Sequence, residues 1–396
     1  MKEYLLIVFS VFMLIACQGN QQPVVVTPWG TTLTEDADTA EATGNFSLPD
    51  IIKNGELIML TISGPETYYD YHDHGMGLQY LLCEKFAQKL GVSLRVEVCK
   101  DTAEMVKRLA KGDGDVIAFP LPKTTKGDLQ FCGAGIDSLQ VQWAVKKDNK
   151  ELADTLNNWF RPDMIAEVKS EESFMLSSRS VIRHVYSPML NRSKGVISEY
   201  DRYFQMYAPM ARMDWRMMAA QCYQESCFDP KARSWAGALG LMQIMPGTAA
   251  HLGLPISQIH NPEDNIAASA RYMAELGGLF NDIADPGQRC WFVLASYNGG
   301  YHHIRDAMAL ARREGRNAHN WGEVAEFVLK LREARFYNAP IVKYGYMRGN
   351  ETVDYVDRIR NRWAEYRGMA KGGGIGLSSF HGMTPQRAKR KNKFKL

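Results

Sequence analysis

Glu225 ends an apolar helical run, and a glycine-rich stretch, GALGLMQIMPGTA, follows at 237–249. Asp214 is a good N-cap. From it Trp215, Met218, Ala219 and Cys222 form a stripe at helical spacing, and Glu225 falls on the face shared by 215, 218 and 222. A carboxyl in the last turn of a buried helix meets two effects of one sign. Loss of water and the partial negative charge of the helix C-terminus both favour its protonated form. A general acid that must give a proton to a leaving-group oxygen near neutral pH needs that environment. Position alone leaves a second outcome open, in which the helix frays before Glu225 and the carboxylate stays in water.

The residues that follow bear on the choice. Asp229-Pro230 stops the helix, because the residue before a proline avoids helical geometry. Gly237 and Gly240 can let backbone approach a ligand closely, and Pro246 and Thr248 restart a helix. Met242 and Met245 are spaced as core residues; beside a carboxylate and two glycines they can equally floor a sugar site. Asp229 is the other acidic residue in this segment, and its place before proline reads as a turn. A second cluster, YYDYHDHG at 68–75, offers His72, Asp73 and His74, but ligands so close in sequence need a distant partner to hold one ion. The stretch reads as a solvated loop, and neither a metal nor a cofactor is expected.

These residues need elements to hold them. The chain has 396 residues, 45% of them hydrophobic, enough for two cores plus linkers. From Ile51 the pattern alternates. Strands are expected at 57–62, 93–98, 115–119 and 140–145, and helices at 78–90, 102–111 and 151–160, which gives a small parallel-sheet α/β lobe over 51–160. Residues 161–198 are mixed in character and read as a linker with room for short helices. From 199 to 368 the pattern is helical, with helices expected at 199–207, 214–226, 247–252, 262–280, 288–297, 302–313, 321–331 and 351–366.

The first segment resembles one lobe of the family 3 periplasmic solute-binding proteins, through GELIMLTI, MGLQYLLCEKFAQKLGVSLRVEV and KGDGDVIAF. In that family a second lobe intervenes before the chain returns. Here LQVQWAVKKDNKELADTLNNWF, similar to the return strand and last helix, follows almost at once. The resemblance is therefore to half of that fold, without a cleft to close on a solute, and implies a reduced scaffold or docking lobe. The second segment resembles the soluble lytic transglycosylase domain. Glu225-Ser226, GALGLMQIMPGTA, NPEDNIAASARYM at 261–273, ASYNGG at 295–300 and ETVDYVDRI at 351–359 are similar to its successive motifs, in order. Together the two segments resemble the membrane-bound lytic murein transglycosylases, less one lobe.

That resemblance implies a mainly α, lysozyme-like domain that cleaves the β-1,4 bond between N-acetylmuramic acid and N-acetylglucosamine in peptidoglycan glycan strands. It implies Glu225 as the catalytic acid, Ser234 at the bond-breaking site, Gln243, Met245, Tyr297 and Asn298 in the groove, and Tyr355 bonded to the carboxylate or the sugar. Most glycosidases use two carboxylates. A single acid suffices if the muramyl C6 hydroxyl attacks its own C1, giving a 1,6-anhydro end. A hydrolytic lysozyme and a non-catalytic muropeptide-sensing lipoprotein are the competing readings.

The termini carry the remaining signals. Residues 1–17 read as a lipoprotein signal: Lys2, an apolar run too short to span a bilayer, then Leu14-Ile15-Ala16-Cys17, which resembles a lipobox with Cys17 as the lipid anchor. Gln18 in place of an aspartate implies an outer-membrane lipoprotein facing the periplasm, and 18–50 read as a flexible tether. That compartment oxidises thiols. Cys83, Cys99 and Cys132 lie in the first half and Cys222, Cys227 and Cys290 in the second, with the pairing unreadable and a Cys227–Cys290 bridge left open. A Gly-rich and then basic tail closes the chain over 369–396, with six Lys or Arg among its last ten residues. A formal net charge of +3 is too small to argue for a nucleic-acid partner. A cell-wall protein touching the reduced lobe is the partner the architecture leaves room for.

Overall fold

A computed structural model gives the fold; it describes residues 47–369, together with the two-residue strands Val25–Val26 and Thr32–Leu33, which pair antiparallel within the expected tether. Cys17 with its signal, most of the tether and the tail beyond Met369 lie outside the described residues.

The lobe opens earlier than the sequence suggests. Helix α1 (Leu48–Asn54) is set by a capping box between Ser47 and Asp50 and ended by Gly55 in the left-handed region. Strand β1 (Glu56–Thr61) follows, then a hairpin of β2 (Tyr69–Tyr71) and β3 (His74–Met76), α2 (Leu78–Leu90), β4 (Ser93–Val98), α3 (Thr102–Lys111), β5 (Val116–Pro122), β6 (Leu129–Ile136), β7 (Val141–Lys146), α4 (Lys150–Trp159) and α5 (Asp163–Met175). The main sheet runs β4-β1-β5-β7-β6. Its first three strands are parallel, with Leu57 opposite Leu94 and Leu60 opposite Ile117, while β7 is antiparallel to β5 and to β6.

The sheet is therefore mixed, not purely parallel, and β6 was not foreseen. Its sequence, LQFCGAGI, carries Gly133 and Gly135 in place of alternating apolar residues, and the β6–β7 register shifts between Cys132 and Gly135. Successive residues of the central strands face opposite ways. Met59, Val116 and Val145 pack with α1, α2, α4 and α5 on one face; Leu60, Ile117 and Ala144 pack with Met105 and Leu109 of α3 on the other. The expected linker at 161–198 begins as α5, whose Met164 and Val168 are buried in the lobe core while its charged residues stay outside, which hid it from a periodicity count.

The helical part comprises α6 (Asp201–Ala211), α7 (Trp215–Ser226), α8 (Pro246–His251), α9 (Pro262–Leu279), α10 (Pro286–Gly299), α11 (Tyr301–Arg313), α12 (Trp321–Lys330), α13 (Ala334–Tyr337) and α14 (Gly349–Met369). Helix α7 is buried on more than the single stripe read from its spacing. Met217, Ala220 and Gln221 are buried as well as Trp215, Met218, Ala219 and Cys222. The two parts also share a core: Trp235 and Tyr337 pack against the lobe cluster and Tyr346 is buried in it. All six cysteines from Cys83 onward are buried and free, so Cys227 packs and does not bridge to Cys290.

Candidate active site

Helix α7 starts where Asp214 accepts a bond from the Arg216 amide and stops where Cys227 and Phe228 both turn left-handed, at φ 53° and 64°. Two non-glycine residues in that region, two and three places after Glu225, are a strained way to end a helix, and such strain concentrates at functional sites. The stop precedes Asp229-Pro230, so the proline is not what ends it. Asp229 is a turn residue: its Oδ2 accepts from the His184 amide at 2.6 Å and its Oδ1 from the Lys231 amide at 2.9 Å.

Glu225 is half-buried at the end of this rigid helix. Its Oε1 accepts a 2.6 Å hydrogen bond from the Tyr355 hydroxyl on α14. Arg183 donates to the Glu225 backbone oxygen at 2.8 Å, capping a carbonyl that the helix end leaves without a partner. Burial pushes the carboxyl up to about 7; the Tyr355 bond and the charges of His72 and Arg183 oppose this, and Glu351 adds to it. Tyr355, itself pushed well up by burial, stays neutral and donates.

Tyr355→Phe removes a donor to the charged form. The alkaline limb of the activity profile is then expected to move to higher pH, and kcat to fall roughly tenfold or more as the carboxyl becomes a weaker acid and is less firmly held. A pH–rate profile with an unmoved limb contradicts this.

The segment after α7 forms one wall. Ser234 Oγ accepts from the Ala238 amide at 3.0 Å, which leaves its proton free to give. Gln243, left-handed at φ 49°, spends its amide nitrogen on the Ala232 and Gly240 carbonyls, and its buried Oε1 has no partner among the described residues, an acceptor held ready for an N–H. Met242 is core and Met245 lines the cavity, so the methionine pair divides between the two readings. Gly240 is no ligand platform. A Cβ there would lie 2.6 Å from the Ile259 carbonyl oxygen and from Asn265, at φ 78°. Gly240→Ala is expected to lower stability by about 1–3 kcal/mol, read as a lowered Tm; Gly237, with open space around it, keeps only its φ requirement.

Tyr297 and Asn298 end α10. The Tyr297 hydroxyl donates to the Met242 carbonyl at 2.8 Å, and Asn298 Oδ1 accepts from Thr352 at 2.8 Å, so each braces the groove with one group while lining it. The seven residues expected at the site, Glu225, Ser234, Gln243, Met245, Tyr297, Asn298 and Tyr355, all line one cavity of about 420 Å³, the size of a ligand site.

Sequence reasoning missed part of the site. The stretch read as a solvated loop is the β2–β3 hairpin, and Tyr71 and His72 line the same cavity as Glu225. Two short runs about a two-residue turn were the available signal. His72 faces Glu351 and His74 faces the Ala236 carbonyl, so the cluster does not converge on one ion. Asp354 also lines the cavity, and Glu351 is a further carboxylate in the groove. Burial raises its pKa, but the approach of His72 and the bond from Tyr71 outweigh this and hold it below the usual glutamate range. Two carboxyls displaced in opposite directions mark an acid paired with a fixed negative charge.

The Transglycosylase SLT domain family matches residues 202–320. A membrane-bound lytic murein transglycosylase F from Desulfosudis oleivorans is 29% identical, over 79% of this chain and 90% of its own length. One of the same name from Pseudomonas putida is 36% identical, over 79% of this chain and 85% of its own. This chain belongs to the membrane-bound lytic murein transglycosylase F family. These alignments run over 415 and 417 positions, more than the chain's own 396 residues, so both relatives carry residues with no counterpart here. Among solved structures, domain 1 of the arginine-binding protein TmArgBP has a TM-score of 0.26 at 20% identity, over 31% of this chain and 99% of that one. The Escherichia coli soluble lytic transglycosylase SLT70 has a TM-score of 0.29 at 26% identity, over 43% of this chain and 24% of that one.

Proposed function

We propose that this family member cleaves peptidoglycan without water, with Glu225 as both acid and base. Protonated Glu225 gives its proton to the glycosidic oxygen between N-acetylmuramic acid and N-acetylglucosamine, and the C1–O bond breaks. The muramyl C6 hydroxyl attacks C1, its proton passes to the Glu225 carboxylate, and a 1,6-anhydro end forms with the acid regenerated. The intramolecular attack gains the high effective molarity of a tethered nucleophile. The observation that carries this reading is the carboxyl itself: half-buried, raised to about 7 and bonded by Tyr355, it is fit to be protonated at the start and basic after the transfer.

Glu351 bears on the hydrolytic alternative. A carboxylate held below its ordinary pKa is a weak base and a poor activator of water, whereas its fixed charge stabilises the cationic sugar of the transition state. Ser234, Gln243, Met245, Tyr297 and Asn298 hold the sugars.

The direct test is digestion of purified sacculi followed by mass spectrometry of the released muropeptides. Anhydro ends are expected. Reducing ends favour a lysozyme, and no release favours a sensing lipoprotein. We place the protein on the periplasmic face of the outer membrane through Cys17, in cell-wall remodelling, on the strength of residues 14–18 and the membrane-bound relatives. Cys17→Ser is expected to leave the membrane fraction; its retention there sinks this placement.

A further inference from the structure

We infer that the lobe's β2–β3 hairpin is an end-stop for the glycan strand, so that product leaves from chain ends and not from cuts within the chain; the inference rests on the transglycosylase reading above. The hairpin is tied to both walls of the groove. On one side the Tyr71 hydroxyl donates to Glu351 Oε1 of α14 at 2.7 Å. On the other, His74 Nε2 lies 2.7 Å from the Ala236 carbonyl oxygen in the segment after α7. The Tyr71 ring lies parallel to Trp235 at 6.2 Å, and the Arg348 guanidinium sits 5.5 Å from the Tyr71 centroid.

This bridge divides the groove. The cavity of about 420 Å³ holds Glu225 and Ser234; a second, of about 190 Å³, holds Asp73, Tyr272 and His303. Tyr71 and His72 line both, as do Gln243, Met245, Tyr297, Asn298, Arg348 and Glu351 of the catalytic part; of these only Tyr71 and His72 belong to the hairpin that spans the groove from Glu351 to Ala236, and the hairpin forms the partition. A strand lying across Glu225 therefore meets the hairpin at once. The space beyond, about 190 Å³, is smaller than ligand sites of roughly 300–1,000 Å³ and suits a terminus better than a continuing polymer.

The partition is fixed to its lobe and the lobe to the catalytic part. Tyr346 is buried in the lobe core, its amide donates to Ser63 Oγ at 3.1 Å, and its ring meets Tyr69 of β2 edge-on at 5.0 Å. The turn residues also speak for function. His72 and Asp73 both take positive φ, 47° and 59°, in a two-residue turn that Asn-Gly would fill with least strain. The histidine kept there reaches Glu351 at 3.8 Å.

The test follows products over time from uncrosslinked glycan strands of defined length, with the full chain as enzyme. Wild type is expected to release anhydro-disaccharide from the outset while intermediate lengths stay scarce. Tyr71→Ala/His74→Ala, with both ties cut, is expected to lower the ratio of disaccharide to intermediate fragments several-fold. His74→Ala alone, checked for folding by thermal melt, moves the same way by less. His72→Asn/Asp73→Gly, which suits the turn and keeps both ties, retains end release. Intermediate fragments from wild type at the outset overturn the end-stop, as does a double variant that is merely faster with the same product ratio. Products without anhydro ends remove the transglycosylase reading instead, and the end-stop with it.

Discussion

Glu225→Gln is expected to lower kcat by about ten-thousand-fold, the upper end of what general acid–base catalysis supplies, with little change in KM. The large figure follows from one residue serving twice. Glutamine can neither give a proton to the glycosidic oxygen nor take one from the C6 hydroxyl, so both halves of the reaction lose their catalyst. Its Oε1 still accepts from Tyr355, so the groove keeps its shape and binding is spared. In the wild type, kcat/KM is expected to fall as pH rises through about 7, where the acid loses its proton. Michaelis kinetics on soluble glycan strands read both effects. A Gln variant with a tenth of wild-type kcat would show that another group does the chemistry.

The same substitution is expected to stabilise the fold, and only at the right pH. Burial raises the folded-state pKa of Glu225 from 4.5 to about 7, so between these values the folded protein holds a proton that the unfolded chain has released. Stability therefore falls as pH rises across that window. The wild-type penalty is absent below pH 4.5 and complete above 7, where it reaches roughly 3 kcal/mol. Glutamine has no such penalty. Thermal melts are expected to show Glu225→Gln several degrees above wild type at pH 8 and level with it at pH 4. A difference that does not change with pH would mean the carboxyl is not destabilised by burial.

Much of this was legible in the chain. The limits of α2 and α3 follow from apolar spacing closed by Gly91 and Gly112, both left-handed. Glu225 was found because its place at the end of a buried stripe is unfavourable for folding, and a poor local choice is a readable signal. The mixed sheet was less legible. Strand β6 carries two glycines that break its alternation, and α5 buries two apolar residues among charges. The hairpin was hidden for a different reason: two three-residue strands give no periodicity, and only their long-range bonds to Ala236 and Glu351 reveal what they do. Glu351 lay within a recognised motif, but its role depends on Tyr71 and His72, which are far away in sequence. Local pattern located the acid, while the groove that surrounds it is a tertiary fact.

The claim on which the account turns is that one buried acid cleaves the strand and water takes no part. Digestion of glycan strands by the wild-type chain in H₂¹⁸O, with mass spectrometry of the muramyl ends, tests it directly. The account predicts 1,6-anhydro ends carrying no ¹⁸O. Reducing ends labelled with ¹⁸O would contradict it and would make a second carboxylate of the groove, Glu351 or Asp354, the group that activates water.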